Sequence, residues 1–528
     1  MLLEVGKVEM EKKRIVRLSE LIDKIWKNIP SKAKIAFGST IIWGLIAHLY
    51  MFMNKLPNYD DLMINSFGAT FRLGRWFLWV IGAIAYHLEL VYSLPWINGL
   101  VSLVLIACAN AMIIELLQID NKWIIGIICG VLVAYPSWTG TFFFMFTAPY
   151  YALAIVLAVL AVYYIVRKHN LGFIIGMLCL SCSLGIYQAY LPFTAGLLVI
   201  VLILQLYKEE EWRKVFKEGI RYLIFLLLTV GLYYVITRIS LFIMKQSFAD
   251  YKGLGELGKF SWKDTVCNIF GYSVANIFTN KLEICHNLLG KAGYLIVIMA
   301  FLIGMIITCR QWIKQKKIAN AILLIVLGIS FWTAINAIYI MCQDENSIYV
   351  LMVYSYSLLF ILPVSALEYI IEKRGSNPML VIEEYILCLT IFVVAINYCH
   401  FANAEYLAMD LSLQQAESYY TTLITQIKSV PEYTTNMPIA LGQKGGFILE
   451  DQTLYNNEVL SSFYLKCRDN SLVNTYNKEL MLTYYLGFEP EYVSIESVDP
   501  EVVDKMPVYP NEGSIQVIDG TIVVKLTE

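Results

Sequence analysis

Two adjacent carboxylates are the residues of this chain best suited to carry out chemistry. Asp60 and Asp61 lie a few residues beyond an apolar run that is long enough to cross a membrane. A low dielectric and a close like charge both raise the pKa of a carboxylate toward the range useful for proton abstraction. We predict that this pair supplies a general base. A divalent cation is an alternative ligand for two acids, but one pair without further ligands does not establish a metal site.

Two arginines follow the acids in the same loop. Arg72 and Arg75 are spaced about one helical turn apart, which predicts that they share one helix face and bind a phosphate through charge-assisted hydrogen bonds. A second interpretation carries equal weight at this point. The acids would then only solvate a loop, and the arginines would extend to lipid headgroups.

Further polar candidates lie in other segments that connect apolar runs. His286 belongs to residues 245–291, and Asp344 with Glu345 repeats the paired-acid pattern in a short loop. We predict that His286 and Asp344 contact a sugar or an acceptor, while loop solvation or a helix boundary remains the alternative. His48 has no ligand-type partner near it in sequence, which favours packing over metal binding.

The composition predicts the environment of these residues. Hydrophobic residues make up 58% of the 528 residues and charged residues 16%, and the mean hydropathy is +0.61. A single aqueous globule cannot bury that excess, so lipid must cover it. The net charge of −2 supplies no basic field of the kind that nucleic acid requires, and we predict no nucleic-acid partner.

Charge-free runs divided into lengths of about 20 residues predict about eleven spanning helices. They occupy residues 35–54, 90–114, 123–166 (two spans that turn at 136–140), 170–207 (two spans that turn near 188–192), 222–237, 292–309, 318–342, 346–367 and 385–404. Residues 76–88 are apolar but too short to cross, which is typical of an interfacial or re-entrant segment.

The basic segments decide the orientation. If residues 76–88 do not cross, all the Lys/Arg-rich connections fall on the cytoplasmic side, as the positive-inside rule requires. We therefore predict a cytoplasmic tail (1–34), an all-α polytopic domain (35–404) whose first outer loop is 55–75, and an extracytoplasmic α/β or α+β domain (405–528). The N-terminus would lie inside and the C-terminus outside.

Short motifs in this arrangement resemble those of a known family. Residues 58–61 follow the first span, Gly-Arg-Trp stands at 74–76, and Gly-Ile-Tyr-Gln-Ala-Tyr ends a later span at 185–190. Together with the exit of the last span at 397–406, they resemble the GtrII-type glucosyltransferases, polytopic bacterial enzymes. This resemblance covers most of the chain in architecture and rests on short motifs.

The resemblance implies a GT-C fold in the bacterial cytoplasmic membrane and a sugar donor carried on polyprenyl phosphate. Asp60 or Asp61 would deprotonate the acceptor hydroxyl, and Arg75 would bind the departing phosphate. Tyr187 and Gln188 would contact a sugar at the outer rim of the cavity, although interfacial anchoring and helix termination explain them equally well. Direct displacement would invert the anomeric centre.

The implied partners follow from that chemistry. They are a polyprenyl-phosphate-linked sugar, a surface glycan such as O-antigen or a lipid-linked glycan acceptor, membrane lipid, and a small flippase with a donor-making synthase. Two other function classes stay open. A flippase or transporter more often has repeated halves and mid-span charges, and a glycan polymerase is less expected to have a terminal soluble domain.

Overall fold

The computed structural model describes residues 26–58, 60–62, 70–90, 92–167, 170–208, 211–249, 261–342, 348–374, 378–442, 472 and 478–527. Most of these residues are helical. The helices are α1 (Ser31–Met53), α2 (Trp76–His87), α3 (Pro95–Leu117), α4 (Lys122–Ala134), α5 (Pro136–Phe142), α6 (Ala148–Arg167), α7 (Asn170–Ile186), α8 (Tyr190–Tyr207), α9 (Trp212–Ile243), α10 (Trp262–Cys267), α11 (Ser273–Phe278), α12 (Leu288–Lys314), α13 (Ile318–Ile335), α14 (Ile338–Met341), α15 (Leu358–Arg374), α16 (Pro378–Lys428), α17 (Lys478–Leu480) and α18 (Pro500–Lys505).

Long apolar helices dominate the described part of the chain. Nine of them are long and apolar enough to cross a membrane, and α4 with α5, bent by 43° at one break, makes up to ten. These helices are apolar around most of their circumference, as expected where lipid rather than water covers the outer faces. The chain is thus a multi-pass helical protein. Eleven spans would require the shorter α7 to cross as well, and that count stays a prediction.

Two predicted turns can be compared directly with the helix boundaries. The turn near residues 188–192 is confirmed in kind, because the chain breaks between α7 and α8 at residues 187–189. The turn at 136–140 is wrong. Pro136 stands at the first position of α5, where a proline costs no backbone hydrogen bond. The chain is helical from Pro136 to Phe142, and this helix is bent by 43° from α4.

The bundle around the predicted first outer loop is built from α1, α3, α4, α6, α7 and α8. Helix α1 packs against α3 and α4, while α6 packs against α3 and α7. His48 of α1 lies in this core, where its ring nitrogens are 2.8 Å from the Tyr406 hydroxyl and 2.9 Å from the Val133 carbonyl oxygen. Both polar atoms are therefore satisfied, which confirms the predicted packing role.

The last long helix joins the bundle to a small sheet. Helix α16 has 51 residues, which corresponds to a length of about 76 Å, so it continues well beyond the 404/405 boundary predicted from composition. Its final turns bury Ala416, Tyr420, Leu423 and Ile427, which recur at helical spacing on one face. That face packs against strands β1 (Ile439–Gly442), β2 (Ile515–Ile518) and β3 (Thr521–Lys525).

The sheet has the order β1-β3-β2. Strand β1 pairs with β3 in parallel, with Ile439 opposite Ile522, and β2 pairs with β3 antiparallel. The antiparallel pair is joined by a two-residue turn at Asp519 and Gly520, both with positive φ, as a tight hairpin requires. We call this sheet, with α17, the π-helical turn that follows it (Met481–Tyr485), α18 and the last turns of α16, the C-terminal sheet unit.

Candidate functional site

The acid pair lies in a tight turn directly after α1. The Asn58 side-chain oxygen accepts from the Asp60 amide at 3.2 Å, and the Asn58 carbonyl accepts from the Asp61 amide at 2.9 Å. Such an Asx turn is a local alternative to helix continuation. We call the turn that contains Asn58, Asp60 and Asp61 the acid turn. It places the two carboxylates in different surroundings, because the Asp60 side chain is exposed while that of Asp61 is buried.

The buried carboxylate of Asp61 is held by two side chains. Its Oδ2 lies 3.0 Å from the Lys55 ammonium and accepts a hydrogen bond of 2.8 Å from the Ser93 hydroxyl. Its Oδ1 is buried and has no hydrogen-bond partner among the described residues. Burial raises the pKa of Asp61, and the Lys55 charge and the Ser93 hydrogen bond oppose that rise.

The exposed member of the pair is perturbed as well. Desolvation by the surrounding chain, and then the charge of Asp61, raise the pKa of Asp60 above that of an ordinary aspartate. A carboxylate with a raised pKa is a stronger base, so it accepts a proton more readily from a hydroxyl group. The turn therefore presents an accessible base beside a buried, ion-paired neighbour.

The residues of this turn fit a divalent cation poorly. The Lys55 ammonium already occupies one oxygen of Asp61, and a hard cation prefers six or more oxygen ligands. Among the described residues there is no group of three His, Cys, Asp or Glu side chains that could hold a metal.

A second group of side chains lies at the start of α2. It consists of Arg75, Tyr151 and Tyr187, and we call it the Arg75 cluster. The guanidinium donates to the Tyr151 hydroxyl at 3.2 Å and lies 5.2 Å from the centre of the Tyr187 ring. Tyr151 and Tyr187 stack on each other, with ring centres 4.6 Å apart and planes inclined by 11°. A cation against aromatic rings is held in a fixed orientation at little cost in hydration.

Gly74 connects this cluster to the loop that precedes it. Its φ of +74° is in the left-handed region, and a Cβ there would lie 2.3 Å from the Tyr233 hydroxyl and 2.9 Å from Gln188 Nε2. Gln188 donates to the Leu73 carbonyl at 2.7 Å and to Tyr233 at 2.9 Å, and Tyr233 donates to the Gly74 carbonyl at 3.1 Å. These contacts fix the backbone immediately before Arg75.

Trp76, the residue after Arg75, contacts Gly185, the first residue of the second motif. A Cβ added to Gly185 would lie 2.7 Å from the Trp76 ring, so the glycine permits close packing of α7 against α2. Residues 74–76 thus meet residues 185–188 one after another, although more than a hundred positions separate them. The structure brings the two short motifs together as a single cluster.

Arg72 does not belong to that cluster. It lies in a 3₁₀ turn (Thr70–Leu73), Gly74 then reverses the backbone, and Arg75 precedes α2. Its Nε donates to the Ser247 carbonyl at 3.4 Å, and its own carbonyl accepts from the Ala249 amide at 3.0 Å. The expectation that both arginines share one helix face is therefore wrong, because the left-handed glycine between them interrupts the helix.

The acid turn and the Arg75 cluster lie at the same end of the bundle. Ser93, which bonds Asp61, comes just before α3, and Tyr151, which bonds Arg75, lies in the first turn of α6. Between them Asn98 of α3 donates to the Met145 carbonyl at 3.3 Å, just before α6 begins. The acid turn and the Arg75 cluster are therefore bound to neighbouring helix ends, those of α3 and α6.

The C-terminal sheet unit contacts the acid turn. Leu62, next to the acid pair, is buried in the same apolar cluster as Tyr420, Leu482 and Ile522 of that unit. Burial first, and then the charges of Asp61 and Glu417, raise the pKa of Tyr485. The acid turn is thus enclosed between the start of α3 and the C-terminal sheet unit.

The remaining predicted site residues lie elsewhere or outside the described residues. His286 precedes α12 and stacks on Phe401 of α16 with ring centres 4.1 Å apart. Burial, followed by the nearby His400, lowers its pKa from 6.5 to about 4, so it is neutral near pH 7. Asp344 lies outside the described residues, as does its neighbour Glu345.

Several residues of the site are not evident from the sequence. Ser93, Tyr151 and Tyr233 carry no motif of their own, and each lies far along the chain from the loop that it contacts. Lys55 is the exception, because it lies in the predicted first outer loop, six residues before the Asp61 that it pairs with.

Comparison with known families agrees with these contacts. The profile described as Glucosyl transferase GtrII matches residues 49–362, which is more than half of the chain. The chain belongs to this family. The match includes the acid turn, the Arg75 cluster and the motif at 185–190, and it confirms the resemblance inferred from those motifs. This GtrII family member is thus a glucosyltransferase by family. No curated protein and no solved structure matches it significantly.

Proposed function

We propose that this protein transfers a hexose, glucose in the first instance, from polyprenyl phosphate to a hydroxyl group of a cell-surface glycan. The reaction would take place at the end of the bundle that carries the acid turn and the Arg75 cluster, on the outer face of a bacterial cytoplasmic membrane. The bundle would then be a GT-C fold, and the C-terminal sheet unit would lie outside.

The observation that carries this proposal is the position of Arg75 on the stacked rings of Tyr151 and Tyr187, at the same helix ends as the acid pair. Tyr151 and Tyr187 are buried and stacked on each other, so they orient the guanidinium. A guanidinium in fixed orientation suits two oxygens of a phosphate. A glycosyl donor linked to a phosphate offers that group beside its anomeric carbon.

The surroundings of the two acids favour Asp60 as the base. Asp61 is buried and already receives Lys55 and Ser93, so its role is to hold the turn and to place a charge beside Asp60. Asp60 is exposed, and its raised pKa suits it to receive a proton. Arg72 remains a second candidate for donor binding, through the segment that it contacts at Ser247.

The transfer would proceed as a single displacement at the anomeric carbon, without a cofactor. Asp60 takes the proton of the acceptor hydroxyl as that oxygen forms a bond to the anomeric carbon of the donor. The bond from that carbon to the phosphate oxygen breaks, and polyprenyl phosphate leaves with the electron pair. Arg75 stabilises the charge that develops on the phosphate, and the chain contributes orientation. A single displacement inverts the anomeric configuration.

The test is transfer of labelled glucose from polyprenyl-phosphate glucose to surface glycan in membranes that contain the wild type, Asp60→Asn, Asp61→Asn or Asp519→Asn. Asp519 is an exposed acid in the β2–β3 turn and serves as the matched control. Loss of a general base typically costs about 10²–10⁴-fold in rate, so we expect that loss in Asp60→Asn and wild-type transfer in Asp519→Asn.

Each alternative outcome contradicts a specific part of the proposal. Full transfer by Asp60→Asn, with loss only in Asp61→Asn, would reassign the base to Asp61. Wild-type transfer by both variants would remove the acid turn from catalysis. A wild type that moves lipid-linked sugar across the membrane without forming any glycosidic bond would favour the flippase class instead.

A further inference from the structure

A polar cavity lies at the opposite end of the helices that carry the candidate site. It encloses about 210 Å³ between the C-terminal ends of α3, α6 and α8 and the side of α15. Its polar lining consists of Gln118, Arg167, Gln205, Lys208 and Tyr369, and the rest is aliphatic. The lining contains two cationic side chains and, of the described residues, no acidic one.

Neighbouring groups hold both cations at the cavity wall. Lys208 donates from Nζ to the side-chain oxygen of Gln118, and Nζ lies 4.6 Å from the centre of the Tyr369 ring. Tyr369 is itself fixed, because its hydroxyl donates to the Leu117 carbonyl at 3.0 Å. Arg167 donates from one guanidinium nitrogen to the Glu115 carbonyl at 3.3 Å. A guanidinium and an ammonium held side by side suit a phosphate.

Gln205 adds a second feature that indicates a ligand. Its Oε1 is buried and has no hydrogen-bond partner among the described residues, although it lies in the cavity lining. A buried acceptor without a donor costs free energy, of the order of 1–3 kcal/mol. A hydroxyl group in the cavity would supply the donor. The lining therefore suits a ligand that carries both a phosphate and hydroxyl groups.

The position of the cavity relates it to the membrane. Helix α3 has 23 residues and α6 has 20, which gives lengths of about 30–34 Å. The hydrocarbon core of a bilayer is about 30 Å thick. The cavity thus lies one membrane thickness from Asp61 and Arg75, at the depth of the opposite headgroups, on the side that the positive-inside rule predicts to be cytoplasmic.

Helix capping is an alternative explanation for the positions of Arg167 and Lys208, but it does not explain the cavity beside them. Basic side chains at helix C-termini bond the last carbonyls and offset the helix dipole, as Arg167 does at Glu115. Capping needs neither a cavity nor an unpaired buried amide oxygen beside it. The Glu115 carboxylate lies 3.7 Å from the Lys32 ammonium, and among the described residues Arg167 forms no ion pair.

We propose that this cavity binds the phosphodiester headgroup of a lipid whose headgroup also carries hydroxyl groups. Arg167 and Lys208 contact the phosphate, and Gln205 accepts from a headgroup hydroxyl. Either a glycerol-bearing phospholipid or a sugar phosphodiester of a polyprenyl lipid has this chemistry. The site is separate from the proposed transfer centre, and its occupancy does not depend on that function.

The test uses the full chain in nanodiscs and measures the lipid that remains bound by native mass spectrometry. Separate arms contain phosphatidylglycerol, phosphatidylethanol or polyprenyl-phosphate glucose. The variant is Arg167→Gln/Lys208→Gln, and Lys314→Gln is the matched control, since Lys314 is an exposed cation at the C-terminal end of another long helix. Two charge-assisted hydrogen bonds are lost in the double variant, so we expect retention to fall at least about tenfold.

The outcomes separate the two lipid sources and the alternatives. Retention of phosphatidylglycerol that is lost only in the double variant supports the phospholipid, and the same pattern for polyprenyl-phosphate glucose alone supports the sugar lipid. Equal retention by wild type and double variant would overturn the site. So would equal retention of phosphatidylethanol and phosphatidylglycerol by the wild type, since both are monoanionic phosphodiesters and only the latter carries headgroup hydroxyls.

A second variant guards against misfolding of the first. Gln205→Leu keeps both cations and removes the amide whose buried Oε1 has no hydrogen-bond partner among the described residues, so its Tm should equal or exceed that of the wild type. We expect it to keep the phosphate contact and to lose the preference for phosphatidylglycerol over phosphatidylethanol. An unchanged preference would exclude the proposed contact between Gln205 and a headgroup hydroxyl.

Discussion

Ser93 donates a hydrogen bond of 2.8 Å to Asp61, and this contact ties the acid turn to the beginning of α3. Because the Lys55 ammonium lies on the same carboxylate oxygen, Asp61 is held as an ion in a buried position. A buried ion in a fixed place exerts a strong field on its neighbours. Its nearest titratable neighbour in the chain is Asp60, whose pKa it helps to raise.

This field predicts how the pH dependence of transfer changes in Asp61→Asn. The ionised form of Asp60 is the base, so the rate falls as the pH drops through the raised pKa of Asp60. Removing the Asp61 charge lowers that pKa, although burial still keeps it raised. The acid limb of kcat/KM against pH should therefore move to lower pH in Asp61→Asn, and not in Asp519→Asn. A limb that stays in place would contradict the assignment of Asp60 as the base.

Arg75 should matter more for donor use than Arg72. Arg75→Gln removes the cation that lies on Tyr187, whereas Arg72→Gln removes a side chain whose Nε bonds a loop carbonyl. A hydrogen bond to a charged group is worth about 1.5–3 kcal/mol, so kcat/KM for the lipid donor should fall about 10–100-fold in Arg75→Gln. Titration of the donor in membranes gives this value. Equal losses in both variants would show that the two arginines act together.

Gly74→Ala should disable the site by displacing the backbone before Arg75. The new methyl group would overlap the Tyr233 hydroxyl at 2.3 Å, at a φ that disfavours any side chain. We expect a lower Tm and at least about tenfold lower transfer. Gly231→Ala is the control, because nothing lies within 4 Å of its Cβ position and alanine favours a helix. A Gly74→Ala variant with wild-type transfer would contradict the tight contact.

The candidate site shows which features the sequence can predict. The acid pair, Arg75, Tyr187 and Gln188 come from motifs, and three of them prove to be neighbours. The prediction that Arg72 and Arg75 share a helix face is wrong, because spacing alone does not reveal the positive φ of Gly74. A glycine between two arginines was the available signal.

The fold shows a similar division. Hydropathy predicts long helices such as α3, α6 and α8 because lipid imposes one length and one composition on every span. It does not predict that α16 continues to Lys428, because its later turns are amphipathic and bury only one face. Nor does it predict Ser93 or Tyr151, since their contacts depend on how the helix ends meet in space.

His286 predicts a pH dependence of stability. Its pKa falls from 6.5 to about 4 on folding, mainly by burial, so the unfolded chain binds a proton that the folded chain does not over this range. The contribution of His286 is therefore present above about pH 6.5 and is lost as the pH falls toward about 4. Tm should fall less over this range in His286→Gln than in wild type, and His87→Gln, at an exposed histidine, is the control. Parallel curves for wild type and His286→Gln would contradict the burial effect.

Leu62 predicts that the C-terminal sheet unit positions the acid turn. Leu62→Ala and Leu482→Ala each remove a buried side chain from the same apolar cluster, at a cost of about 2–5 kcal/mol. Only Leu62 adjoins Asp61, so we expect kcat to fall several-fold in Leu62→Ala, with recovery in Leu62→Met, and to stay near the wild-type value in Leu482→Ala for the folded fraction. If both alanine variants lost transfer in proportion to Tm alone, the contact would stabilise the unit without positioning the acids. The comparison is therefore kcat per folded protein, measured on the same membranes that give Tm.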